Sequence, residues 1–149
     1  MNKKLNLIWL FSLLMMVQVC FVSCNKDDDE DTVSVADLKT AIIGTWKSVT
    51  MSADIDGKKF EQNSTDQFYS IIEFKSDGSY VATDLIDGEK DTDNGTWKLD
   101  GDKLIFDNDV EDALLITIKG NTLTTTEEDT YKEDGEEHHE KYVITYKKQ

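Results

Sequence analysis

The chain has 149 residues and a formal charge of −15, and it contains neither arginine nor proline. A surface that acidic repels nucleic acid and anionic headgroups, which excludes polyanions as partners and leaves cations acceptable. The two cysteines, Cys20 and Cys24, both lie near the start, so the body of the chain can form neither a disulfide nor a cysteine-ligated metal site and must rest on one hydrophobic core.

Residues 1–23 read as an export signal. Lys3 and Lys4 precede an apolar run from Leu5 to Val22, interrupted only by Asn6, Ser12 and Gln18, which is the charged start and apolar middle of a secretory signal peptide. A spanning helix needs about 20 apolar residues, so the flanks decide. The run stops at Phe21-Val22-Ser23-Cys24 and turns at once into Asn25-Lys26-Asp27-Asp28-Asp29-Glu30-Asp31. This junction resembles a bacterial lipobox, in which cleavage before the cysteine leaves Cys24 to carry lipid such as palmitate; Phe21 stands where leucine is usual. An uncleaved signal anchor is the alternative. After cleavage 14 lysines face 31 acidic residues, a formal charge of −17.

Residues 24–33 form an acylated cysteine and an acidic tether with too little apolar area to order itself. The acidic run resembles the surface-export signal of Bacteroidetes lipoproteins, with a plain soluble spacer as the alternative. Asp31-Thr32-Val33 is similar to the O-glycosylation tripeptide of the same group. The folded domain is expected over 34–149. It begins with one short helix from Ser34 to Ile43, because Val35, Leu38, Ile42 and Ile43 share a face and Ser34 with Asp37 fits a helix start.

From Gly44 the period becomes two. Strands are expected at 45–53, 68–75, 79–86, 95–99, 103–107, 114–119, 121–128 and 141–148. Between them lie Asp56-Gly57, Asp77-Gly78, Asp87-Gly88, Asp100-Gly101, Gly120-Asn121 and Asp134-Gly135, which supply the positive φ of tight hairpins. Short strands joined in this way predict an all-β fold, an eight-stranded antiparallel up-and-down barrel preceded by a short helix, with a β-sandwich as the alternative.

Alternation from Trp46 sends Ser48, Thr50 and Ser52 inward. By the same count Trp97 enters with Leu99, Leu104 with Phe106, and Ile72 with Phe74 and Ser70, while Tyr80 faces Phe74. On the last two strands Leu123, Thr125 and Glu127, then Tyr142, Ile144 and Tyr146, point in. Aromatic and aliphatic side chains therefore gather at one end, and small hydroxyls line the other. Buried hydroxyls need partners, so that half is either wet or holds a ligand; a small barrel filled by its own side chains is the simpler account. Ser48, Thr50, Ser70, Tyr80, Thr125 and Tyr142 are the candidate ligand-binding residues.

Gly44-Thr45-Trp46, Phe74-Lys75-Ser76-Asp77-Gly78-Ser79-Tyr80 and Gly95-Thr96-Trp97-Lys98-Leu99-Asp100-Gly101-Asp102-Lys103-Leu104 resemble the lipocalin-like domain lipoproteins of Bacteroidetes. The likeness runs from about residue 36 to 148. It implies an eight-stranded barrel whose floor is closed by Trp46, with Trp97 and Phe74 beside it, and binding of a small apolar or amphipathic molecule at the open end. Lipocalins at large pack a last-strand arginine on that tryptophan; this chain offers only Lys147 and Lys148.

Other chemistry is weakly encoded. Glu136-Glu137-His138-His139-Glu140 holds metal-capable side chains, but neighbours in a strand point to opposite faces. Asp84, Asp87, Asp91, Asp93, Asp100, Asp102, Asp107 and Asp109 do not fit a calcium loop with glycine at its sixth position and a terminal Glu. No cysteine nucleophile, serine elbow or separate catalytic histidine is present in the folded part. The expectation is a non-enzymatic protein without cofactor or metal, held by lipid at the outer membrane and exposed at the cell surface. Loops near 54–67 and 87–94 would frame its mouth. A protein-interaction or inhibitor module with a filled barrel, and a glycan-binding accessory using Trp46 and Trp97, are the competing readings.

Overall fold

The structure is a computed structural model that describes residues 32–133 and 135–149. The apolar leader, Cys24 and the acidic run lie outside the described residues.

Turn chemistry sets the topology. Asp56 and Gly57 have φ of 50° and 81°, and Asp87 and Gly88 have 51° and 83°. Two successive positive φ values give the hairpin turn whose twist matches its strands. The elements are α1 (Leu38–Ala41), β1 (Gly44–Ile55), β2 (Lys58–Asn63), β3 (Phe68–Phe74), β4 (Ser79–Ile86), β5 (Glu89–Asp100), β6 (Lys103–Phe106), β7 (Leu114–Lys119), β8 (Thr122–Glu133) and β9 (Glu136–Lys148).

All neighbouring strands are antiparallel, and β1 closes the sheet. Its first residues, Gly44–Lys47, pair with β3, while its other edge pairs with β9 from Trp46 to Ile55. Eight strands, β1 and β3 to β9, thus form a closed barrel, as expected from the sequence, and β2 is a ninth strand paired on the upper half of β1. The sandwich alternative is set aside.

Three local expectations change. The helix is a single turn, because Ser34 to Asp37 form a turn in which the Ser34 hydroxyl bonds Asp37 at 2.6 Å, and Val35 is solvent-exposed. The chain is already docked two residues before Ser34, since Thr32 bridges Lys119 and the Val33 amide donates to the Ile118 carbonyl at 2.8 Å. The segments 54–67 and 87–94 are not open loops: they contain β2 and the first half of β5.

A bulge alters the interior set. The β1–β9 register shifts between Ser48 and Thr50, leaving Val49 as the extra, exposed residue. Beyond it the inward side chains are Met51 and Ala53, both buried, whereas Thr50 and Ser52 are only half-buried. An inserted residue reverses every later position of a period-two count.

The core is built from the α1 end. Leu38 and Ile42 pack beneath Trp46, with Phe74, Tyr80, Ile118 and Leu123 around them. Phe74 meets Trp97 edge-on at 5.4 Å between ring centres, and Tyr80 meets Phe106 at 4.7 Å. Burial of aromatics in such pairs is the main stabilising contribution of a small all-β core.

Candidate functional site

The floor accounts for each indole nitrogen. Trp46 Nε1 donates to the Ile42 carbonyl at 2.6 Å and Trp97 Nε1 to the Lys75 carbonyl at 3.1 Å. Trp46 is fully buried and Trp97 only 7% exposed. Neither ring is free at the surface to stack on a sugar. Lys148 lies over the Trp46 ring, its Nζ 5.1 Å from the centre, so lysine takes the place that arginine fills in lipocalins at large.

Above the aromatic floor the interior keeps a cavity of about 40 Å³, with walls from Ile72, Phe74, Ala82, Leu104, Phe106 and Leu123. Its polar side is Ser70, Asp84, Thr125 and Tyr146. Leu114 completes the lining.

The expected hydroxyl lining is present, in altered form. Ser48, Ser70 and Thr125 are the buried polar residues among those described. Ser48 is engaged by the protein itself, as its hydroxyl accepts from the Ser70 amide and bonds Ser64, both at 2.8 Å. Thr50 leaves the interior through the bulge and bonds the Asn63 side chain on β2 at 3.3 Å. Tyr80 is in the floor, with its phenol 3.4 Å from both Asp93 and Asp107. Burial, followed by those two carboxylates, pushes the Tyr80 pKa far up, so the phenol stays protonated. Tyr142 is buried at the opposite end and donates to Glu140 at 2.8 Å. Of the six candidates, Ser70 and Thr125 line the cavity.

Asp84 is the residue that sequence reasoning missed, having been considered only among the aspartates that do not fit a calcium loop. A signal was available: counting by twos from Tyr80 through Ala82 reaches Asp84 on the same face. Burial raises its pKa from the ordinary aspartate value; hydrogen bonding by Ser70 opposes this, and Asp91 and Asp93 add to the rise. Tyr146 is also pushed well up, chiefly by burial and then by Asp84. Glu127, higher on β8, is raised by burial and by Asp112, Asp129 and Glu140.

The histidines serve structure. His138 Nδ1 contacts Asp56 Oδ2 at 2.8 Å, and the His139 amide donates to Asp56 Oδ1 at 2.9 Å, which ties the β1–β2 turn to β9. Among the described residues there is no group of three or more histidine, cysteine or acidic side chains placed to hold a metal ion. Among them, also, no helix is long and apolar enough to cross a membrane.

The family model for a lipocalin-like domain matches residues 42–148, well over half of the chain. The chain belongs to the lipocalin-like domain family. No curated protein matches the sequence. Among solved structures, a protein of unknown function from Nostoc punctiforme is similar at 14% identity and a TM-score of 0.35 over 77% of this chain. The chain spans about half (49%) of that protein's length. For this lipocalin-like barrel, an interior with apolar walls and one polar side suits a small hydrophobic or amphipathic ligand.

Proposed function

We propose that this lipocalin-like protein is a non-enzymatic binder of a small amphipathic molecule, tethered outside the cytoplasm by lipid on Cys24. The observation that carries the binding reading is the cavity between the aromatic floor and the Ser70, Asp84, Thr125 and Tyr146 side chains. Its driving force is burial of ligand carbon, about 25 cal/mol per Å² of apolar surface removed from water. The polar side then fixes orientation, because only that wall offers a ligand's polar group hydrogen-bonding partners.

The tether reading rests on Lys3, Lys4, the Leu5–Val22 run and the Ser23-Cys24 junction followed by acids. Placement at the outer membrane, facing outward, follows from likeness of that acidic run to a surface-export signal. Intact mass of the purified protein tests the first step. Cleavage before Cys24 with added acyl mass supports it, and retention of residues 1–23 refutes it.

A second reading is favoured by two observations. The cavity, at about 40 Å³, is far below the roughly 300–1,000 Å³ of sites for drug-sized ligands. The outer edge of β2 has no strand partner among the described residues, and an open edge can accept a strand from another protein. On this reading the barrel is a filled scaffold and β2 is the contact. Native mass spectrometry of protein taken from its own membrane separates the two: a retained small-molecule mass supports ligand binding, and a retained protein partner with an empty barrel supports the scaffold.

A further inference from the structure

The polar side of the cavity contains an acid with no base. Alternation along β4 turns Asp84 inward beside Ser70, Thr125 and Tyr146. The ion pairs among the described residues are His138–Asp56, His139–Glu137 and Lys141–Glu128, and Asp84 belongs to none of them. Directly across the β4–β5 ladder its partner is Asp91, and Ala82 is opposite Asp93. Residues opposed in an antiparallel pair share a face, and like charges there are destabilising. A carboxylate partly withdrawn from water, facing further acids and outside every ion pair among the described residues, is relieved either by a proton or by a positive group that arrives with a ligand.

Below that acid the walls are hydrocarbon: Ile72, Ala82, Leu104 and Leu123. An anionic head at Asp84 would repel, and a wholly apolar ligand would give the carboxyl nothing in exchange for the water it displaces; Ser70 and Thr125 are already engaged, Ser70 with Asp84 and Tyr146 and Thr125 with Tyr146. We propose that the cavity selects a small amphipathic amine, its ammonium on Asp84 and its short carbon chain directed toward Leu104 and Leu123. This rests on the ligand-binding reading above and specifies the ligand class. The small cavity, about 40 Å³, favours an amine with a short carbon chain. The chain's acidity, −15 overall, would add to the attraction at a distance.

The test uses the full-length protein in phosphatidylcholine nanodiscs with labelled methyl groups, titrated with n-propylamine, 1-propanol and propionate while the methyl signals of Ile72, Ala82, Leu104 and Leu123 are followed. The expected result is saturable shifts with propylamine at about a tenfold lower dissociation constant than 1-propanol, and propionate weakest. In Asp84→Asn the advantage of the amine should vanish while 1-propanol binding persists. Equal or tighter binding of 1-propanol or propionate in the unmutated protein overturns the amine assignment and leaves the ligand-binding reading standing. So does an amine preference that survives Asp84→Asn. If none of the three compounds moves the interior methyls, both the amine assignment and the cavity-binding reading fall.

Discussion

Lys148 and Trp46 form the joint that closes the bottom of the barrel: the ammonium lies 5.1 Å from the indole centre and donates to the Ala41 carbonyl at 3.1 Å. One side chain at the end of β9 thereby holds both the first turn of β1 and the end of α1. Trp46 in turn bonds Ile42, so helix, first strand and last strand meet at a single ring. Replacing Lys148 by Met keeps the aliphatic stem but removes the charge, and should cost about 1 kcal/mol, the usual worth of an exposed cation over a ring. The melting temperature should fall by about 4–8 °C. An unchanged melting temperature would show that the contact contributes nothing.

The bulge at Val49 predicts opposite outcomes for adjacent residues. Met51 is 1% exposed and inside the barrel, so Met51→Ala should destabilise by about 2–5 kcal/mol. Thr50 is outside, and Thr50→Ala should cost about 0.5 kcal/mol or less. Urea denaturation of the two variants checks the pair. A larger cost at Thr50 would place the sequence's unbroken alternation, not the bulge, in the folded protein.

The tie between Asp56 and His138 should depend on pH. Hydrogen bonding with Asp56 raises the His138 pKa, and the same contact lowers that of Asp56. A raised histidine stabilises below its unfolded value, about 6.5, and loses that contribution as pH climbs through the folded value. A depressed carboxylate stabilises above its unfolded value, about 3.9, and loses the contribution as pH falls through its folded value. Protection of the β1–β2 and β8–β9 turn amides from hydrogen exchange, corrected for intrinsic rate, should therefore be greatest between about pH 4 and 6.5. Asp56→Asn should flatten the profile.

Asp84 predicts a stability gain. Its folded pKa is raised, mainly by burial, so the folded state binds the proton more tightly than the unfolded chain. Stability then declines as pH rises from about 3.9 toward the folded value. Asp84→Asn removes that loss, and should melt higher than the unmodified protein at pH 7 while matching it near pH 3. Equal melting temperatures at both pH values would mean the carboxyl is well solvated.

The barrel was legible because its inner face alternates without interruption on β3, where Phe68, Ser70, Ile72 and Phe74 are buried and their neighbours are not. Aspartate-glycine pairs then marked the hairpins. What stayed hidden was set by long-range pairing. Lys58–Asn63 has no buried residue to give it a period, so β2 exists through its ladder to β1 and not through its own sequence. The upper parts of β5 and β8 are polar on both faces for the same reason. The Val49 bulge depends on how β9 meets β1, which no local pattern records. In the site, Ser70 and Thr125 were found by alternation, whereas Asp84 was lost among many acids although the count from Tyr80 leads to it.

The proposed function requires the space between the aromatic floor and Asp84 to be a binding site. Ala82 lines that space and is 3% exposed, so Ala82→Leu should fill it, at an overpacking cost of about 1–3 kcal/mol. The decisive measurement is a 1-propanol titration of the protein and of this variant, followed through the methyl signals of Leu104 and Leu123. Saturation at one site in the protein, with no saturable shift in a folded Ala82→Leu variant, is the predicted result; equal binding by both, or none by the unmodified protein, would contradict it.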